Sequence, residues 1–301
     1  MDRLTSMQVF VKAVDLGSFA AAAQALDLSA PMVGKHVQWL EARLAVRLIN
    51  RTTRRQSVTA FGRAYYERCR LILAEADAAD ALAAEQLGEP RGRLRITMPV
   101  HFGRYCAMPV LMRFARRYPG IELDLSMNDR FVDLADDGYD LAIRTGALED
   151  SADLVARRVA RQRMTVCASP KWLAAHGRPE TLDDLAQHEA IMYRRSGRVP
   201  PWRFTGEAEG GPPVEITPPN RFRLDDLAAI ADAVAAGEGL GWLPFWLVRE
   251  RVREGALVEL LPAQRSFLYD AYAIWLRTPH VPMRVRLAVE ELAQALPEMM
   301  E

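Results

Sequence analysis

Met32, Lys35 and His36 fall within about one turn of a predicted helix, and Arg51, Thr52, Thr53, Arg54 and Arg55 follow as an unbroken basic, hydroxyl-bearing run. These residue types do the chemistry of nucleic-acid recognition. A lysine donates to a guanine edge, a histidine donates or accepts, and a methionine meets a thymine methyl. Lys35 serves equally as a plain phosphate contact, and the alternative for His36 is a surface or packing role. The arginines and threonines suit phosphate oxygens or a minor groove, each neutralised phosphate steepening the salt dependence by about 0.9 in a log–log slope. Pro31 lies on the same outer side, and Ser29 and Gln38 can add phosphate contacts.

The surrounding pattern supplies the elements that would position these groups. A first helix over 3–16 carries Leu4, Met7, Phe10, Val11 and Val14 on one face and stops at Gly17. Ser18 can cap a second helix bearing Phe19, Ala23 and Leu26. After a break at Asp27-Leu28, Ser29 can cap a third, whose inward residues are Val33, Val37, Leu40 and Leu44. Helix, tight turn, helix is the arrangement that places a second helix in the DNA major groove. The basic run, between short strand-like pieces, reads as a wing. Thr59 can cap a long alanine-rich helix over 60–87, roughly 40 Å at about 1.5 Å per residue. Such a helix needs another apolar surface, most simply a second copy of itself, or else it is a solvated spacer.

Charge is balanced over the 301 residues but not along them: residues 1–65 hold nine basic and four acidic side chains in a chain with 39 of each. A basic head on an acidic body suits polyanion contact at one end. No basic leader precedes a long apolar core, and no run of about 18 uncharged apolar residues occurs. Cys69, Cys106 and Cys167 form no CxxC or disulfide framework. A soluble cytoplasmic protein is expected.

Residues 88–92 break the long helix as a linker. Beyond it strand-like and helical segments alternate: strands at 94–98, 121–125, 139–144, 154–159, 164–168, 240–243 and 272–276. Helices are predicted around 103–117, 131–136, 170–176, 225–236, 245–254 and 283–296. This alternation indicates an α/β region with a mostly parallel sheet, and its length suits two small lobes.

The residues that carry a family resemblance are now in view. They are LEARLAVRLINRTTRRQSVTAFG from Leu40 to Gly62, then GRLRITMPV, FARRYPGIELDL, DLADDGYDLAIRTG, VCASPKWL and AAGEGLGWLP. In this order and spacing the chain resembles the LysR-type transcriptional regulators along its whole length. The resemblance implies an α/β multidomain chain. Its parts are a winged helix-turn-helix domain over 1–58, a linker and dimerisation helix over 59–88, and an effector domain over 89–301 like periplasmic binding proteins. Lobe one would be 91–163 plus 267–301 and lobe two 164–266, with crossings near Arg163 and Arg265.

The resemblance also implies an effector cleft lined by Pro99, Val100, His101 and Phe102. Arg144, Thr145 and Gly146 would join them, with Ser196, the helix start near Asp225, and Gly239, Leu240 and Gly241. Helix N-termini and an arginine suit an anion. Relatives often carry Ser or Thr in the first loop, where this chain has Val100-His101-Phe102; His101 either replaces the hydroxyl as donor or packs. Gly34 stands where the family often has serine. Implied partners are double-stranded DNA with a pseudo-palindromic operator, a small-molecule effector, further copies of the chain as homodimer or homotetramer, and RNA polymerase. No cofactor, metal or catalytic residue is implied.

Other classes find little support. The five histidines are scattered, and neither HExxH, GxSxG nor GxxxxGK[ST] occurs. A redox sensor would need a reactive and a resolving cysteine, whereas the three here read as buried thiols. An exported solute-binding protein would need a leader and no basic head.

Overall fold

The computed structural model describes every residue except 52–55, 87–88, 131, 136, 149–150, 196, 207–211, 262–266 and 301; the side chains of 51, 56, 74, 77–78 and 80–86 are likewise left undescribed. The chain divides into two compact units, Met1–Gly92 with Ala135–Gly138, and Arg93–Leu134 with Tyr139–Glu301. Among the described residues no helix is long and apolar enough to cross a membrane.

The first unit contains α1 (Arg3–Asp15), α2 (Phe19–Ala25), α3 (Ala30–Leu44), β1 (Ile49–Arg51), β2 (Gln56–Val58) and α4 (Ala60–Gln86). A side-chain oxygen opens each helix by accepting an otherwise unpaired N–H. Asp2 accepts from Thr5, Ser18 from Ala21, Ser29 from Met32 and Thr59 from Gly62. Asp27 (φ 52°) turns the chain between α2 and α3, and Ala45 (φ 55°) ends α3 in the left-handed region. Met7, Phe10, Val37 and Leu40 form the core with Leu48, and Tyr66 and Cys69 of α4 complete it. Burying one such large apolar side chain contributes about 1.5–3 kcal/mol, so α4 starts inside the head's core.

Two glycines in this unit differ in kind. A Cβ at Gly62 would stand 2.1 Å from the Leu48 carbonyl oxygen, so only glycine lets the start of α4 approach the strand entry. At Gly34, inside α3, a Cβ would meet only Phe19 Cε2, at 4.0 Å.

The second unit begins with β3 (Gly92–Met98) and α5 (Val100–Phe102), followed by a π-helical turn (Gly103–Ala107) and α6 (Met108–Arg117). Next come β4 (Ile121–Met127), β5 (Leu141–Thr145) and β6 (Leu154–Ala168), then α7 (Pro170–His176), α8 (Leu182–Leu185) and β7 (Ile191–Tyr193). The chain continues through β8 (Trp202–Phe204), β9 (Val214–Ile216), β10 (Phe222–Leu224), α9 (Leu227–Ala236) and β11 (Gly241–Pro244). It closes with α10 (Phe245–Arg253), β12 (Val258–Leu260), β13 (Leu268–Leu276) and α11 (Met283–Met300).

The main sheet has the order β11-β6-β13-β5-β3-β4 with β12 also on β6, while β7 with β10 and β8 with β9 form two separate two-stranded sheets. The first part of β6 pairs antiparallel with β13, from Leu154 opposite Leu276 to Arg163 opposite Leu268. Its last part is flanked on both edges, Val166 lying opposite both Trp242 and Leu260. Apolar side chains gather in separate clusters along this strand. One holds Leu94, Ile96, Val110, Leu111 and the buried face of α11. The others gather Trp172, Leu185 and Met192, and Ile230, Val234 and Val248.

Three expectations need correction. The strands expected at 154–159 and 164–168 are a single strand, β6, because the polar residues between them stay paired to β13. The sheet is mixed, not mostly parallel. β6 leads into the second set of clusters and β13 returns, so the two must run antiparallel, and β5 then pairs antiparallel with β13 and parallel with β3. No helix forms among the described residues of 131–136; Leu134 and Ala135 lie in a turn, closed by Gly138 at φ 66°.

Burial shifts several titrations upward. It pushes the phenols of Tyr65, Tyr66 and Tyr193 from 10.0 to about 12. The Cys69 thiol moves to about 11, and those of Cys106 and Cys167 to about 12. A group whose folded pKa is raised contributes stability fully below its unfolded pKa and loses it as pH climbs. The melting temperature should therefore hold steady up to about pH 9 and fall between about pH 9 and 12, where thiols and then phenols ionise; calorimetry across that range checks this. In urea melts, Gly34→Ala should stabilise the protein by about 1 kcal/mol. Gly62→Ala should destabilise it.

Candidate DNA interface and ligand cleft

Ser29, Pro31, Lys35 and Gln38 are exposed on α3, and Met32 is half-buried beside them. Pro31, Lys35 and Gln38 follow one another at four and three residues, so they form one stripe on the side of α3 away from Val33, Val37 and Leu40. His36 does not belong to that stripe. It is 7% exposed, with Nδ1 3.0 Å from Ser6 Oγ. The Ser6 hydroxyl already donates to the Asp2 carbonyl, 2.7 Å away, so His36 Nδ1–H is the donor of the pair. His36 lies three residues after Val33 and four before Leu40, which places it on the buried face. It is a packing residue.

Glu41, the one acid between Asp27 and Glu67, escaped the sequence reading. Its Oε1 accepts from the Leu48 and Ile49 amides at 2.9 and 3.1 Å, which ties β1 to α3. The hairpin pairs Ile49 with Val58, Asn50 with Ser57 and Arg51 with Gln56. Thr59 Oγ1 donates to the Arg47 carbonyl at 2.8 Å and fixes the hairpin's base. Thr52, Thr53, Arg54, Arg55 and the Arg51 side chain lie outside the described residues.

In the second unit a cavity of about 540 Å³ is walled by members of two different core clusters, Phe102 and Trp246 of one and Trp202 and Trp242 of another. Strand register builds its floor. Gln162 stands opposite Tyr269 and Met164 opposite Pro244, and all four line it. The Trp246 indole donates to Gln162 Oε1 at 2.8 Å.

Of the expected cleft residues, Pro99, His101, Phe102, Thr145 and Gly146 line this cavity. Arg144 does not: strand alternation turns it from Thr145's side, and it donates to the Ile143 carbonyl, Thr97 Oγ1 and the Arg130 carbonyl. Val100 stands off the wall, its N–H 3.4 Å from Asp129 Oδ1. Asp225 is exposed beside Arg194; the next residue, Asp226, caps α9 through the Ala229 N–H at 2.8 Å. Leu240 is fully buried. Gly239 and Gly241 serve packing, since a Cβ would meet the Glu189 carbonyl at 2.9 Å and Val234 Cγ2 at 2.6 Å. Ser196 and Arg265 lie outside the described residues.

The sequence reading missed most of the aromatic wall, although three of the chain's six tryptophans are in it. The only early signal was Trp242 and Trp246 four residues apart.

His101 is 8% exposed. Its Nε2 lies 3.1 Å from Asp226 Oδ1, yet neither ring nitrogen makes a well-formed hydrogen bond among the described residues. Burial pushes the Asp226 carboxyl up, but the Ala229 N–H and His101 outweigh it and hold the group below the usual range.

Comparison with known proteins agrees with this geometry. Residues 4–63 match the bacterial regulatory helix-turn-helix proteins of the lysR family, and residues 87–297 match the LysR substrate binding domain. The chain belongs to the LysR family. It is 36% identical to an HTH-type transcriptional repressor of Pseudomonas aeruginosa over 99% of this chain and 93% of that one. The fold matches CrgA, a LysR-type transcriptional regulator from Neisseria meningitidis, with a TM-score of 0.58, 31% identity and coverage of 97% and 99%. It also matches the full-length Vibrio cholerae virulence activator AphB, with a TM-score of 0.60, 25% identity and coverage of 98% and 100%.

This LysR-type protein is thus a DNA-binding transcriptional regulator with an effector-binding domain, and not an enzyme. All three of its cysteines are buried, and burial raises each thiol, which is unfavourable to a thiolate sensor. His36→Ala should lower stability by roughly 2–4 kcal/mol, because it leaves a cavity and strips Ser6 of a partner. Lys35→Ala should leave the urea midpoint unchanged while weakening DNA binding. Equal loss of stability in both variants would contradict the inward placement of His36.

Proposed function

We propose that this regulator reads a pseudo-palindromic operator as at least a dimer, with α3 in the major groove and the hairpin wing on flanking phosphates. The observation that carries this is the exposed Pro31–Lys35–Gln38 stripe on a capped helix whose other face is sealed by His36 and the core. Ser29, Pro31, Met32, Lys35 and Gln38 are the contact set on α3. Arg51, Thr52, Thr53, Arg54 and Arg55 are the set on the wing. Residues 1–58 serve as the reading head, 59–88 as the pairing helix and 89–301 as the effector domain, in two lobes that meet along β6. Exposed Phe61 and Ile72 on α4 support pairing of chains through that helix.

A small effector occupies the cavity of about 540 Å³, a size suited to such a ligand. Binding there changes the relation of the lobes or of paired chains, and so the spacing or bending of bound DNA. The regulator works in the cytoplasm, together with RNA polymerase. Both a repressor and an activator stand among the proteins it is similar to.

The test is binding to DNA from upstream of the protein's own gene, with a scrambled duplex as competitor at two salt concentrations. A preference of about 10³ or more with a steep salt slope is expected. Arg51→Ala should weaken binding to both duplexes alike and flatten the slope by about 0.9. Ile72→Asp should give monomers in sedimentation and lose operator affinity.

A further inference from the structure

Gly34 stands inside α3, three residues after Pro31 and four before Gln38, so it lies between them on one flank of the exposed stripe. Glycine weakens a helix interior relative to alanine, through the entropy of its backbone. Every other glycine inside a helix or strand, among the described residues, answers a need of the chain itself. A Cβ would stand 2.1 Å from the Leu48 carbonyl oxygen at Gly62, 2.5 Å from Met98 Cγ at Gly103 and 2.6 Å from Val234 Cγ2 at Gly241. Gly92 has a φ of 101°. Gly34 has neither reason. It continues the helix, and a Cβ there would meet only Phe19 Cε2, at 4.0 Å. The chain has room for a side chain at this position and no conformational need to omit one.

The borders of the gap are mostly apolar. Ala30 and Pro31 lie about one turn before it, both exposed, and half-buried Phe19, the first residue of α2, stands beside it. Gln38 is exposed one turn further on, with Lys35 on the same outer side, so hydrogen-bonding groups flank the gap without filling it. In the major groove the bases present donors, acceptors and one apolar projection, the C5-methyl group of thymine. A phosphate would need donors, and the side chains of Ala30, Pro31 and Phe19 carry none.

We propose that Gly34 is a specificity-determining residue, whose missing side chain leaves a notch beside Pro31, Gln38 and Phe19 that admits the C5-methyl group of one thymine in each half-site. A side chain at position 34 holds the helix off that base pair. Stability and recognition therefore oppose one another here, since alanine strengthens α3 and blocks the methyl group. This rests on the reading of α3 as the major-groove helix.

The test begins with selection of duplexes from a random pool by the full chain. In the selected duplex each thymine is then replaced in turn by uracil, which lacks only the methyl group. For the native chain, uracil at one symmetric pair of positions should weaken binding about fourfold per methyl group removed. Gly34→Ala should bring that preference for thymine close to one while raising the urea midpoint, which separates a lost contact from a lost fold. Lys35→Ala should bind more weakly and keep the preference. A Gly34→Ala protein that retains the fourfold preference overturns the notch, because the methyl group is then read elsewhere. A native chain indifferent to uracil at every position also overturns it; loss of affinity in Gly34→Ala would then place the close approach at the sugar–phosphate backbone. A native chain that enriches no two-fold sequence is a different failure. It refutes the operator reading of α3 itself, and the notch with it.

Discussion

The second unit depends on the pairing of a single strand. β6 runs from Leu154 to Ala168, pairing first with β13 and then, over its last residues, with β11 on one edge and β12 on the other. The register shifts where Ala271 and Tyr272 face Ala160 and Arg158, which leaves Val159 as the extra residue of a bulge. A bulge bends the strand and increases its local twist. Beyond it Gln162 and Met164 turn to the cavity together with Tyr269 and Pro244. A break in this strand would separate the two groups of cores and leave the cavity without a floor.

In the head a different economy holds. Apolar burial is modest in so small a domain, so polar contacts carry much of the positional information. Glu41 binds two backbone amides of the approach to β1, and His36 binds Ser6 across α3 and α1. Thr59 closes the hairpin's base and caps α4 with one hydroxyl. These contacts aim the wing and α3 in a common frame without using the exposed groups of the outer stripe. The exposed stripe and the contacts that hold α3 in place are therefore carried by different residues of one helix.

The cavity shows a different arrangement. Its aromatic rings border open space, and Arg195, Arg198 and Asp129 stand at the same cavity. His101 of α5, which lines the cavity, holds its Nε2 3.1 Å from Asp226 Oδ1 at the start of α9. The rings that border this space belong to both core groups, Phe102 and Trp246 to one and Trp202 and Trp242 to the other.

Much of this was legible in the residues themselves. Caps at Ser18, Ser29 and Thr59 and the period of Val33, Val37 and Leu40 are local signals, set by interactions within a few residues along the chain. So were the positions of most strands and helices, and the order of motifs that marks the family. The sequence could not tell His36 from Lys35, because both read as polar neighbours until Ser6 on another helix supplies a partner. It could not choose Thr145 over Arg144 for the cavity, nor gather Tyr193, Trp202, Trp242 and Tyr269 around it. Those outcomes follow from strand register and from which side of a sheet faces open space, and pairing between distant segments decides both. Local propensity determined the elements and the kind of protein; only the tertiary structure decided which side chains meet, because that depends on contacts between segments far apart in the chain.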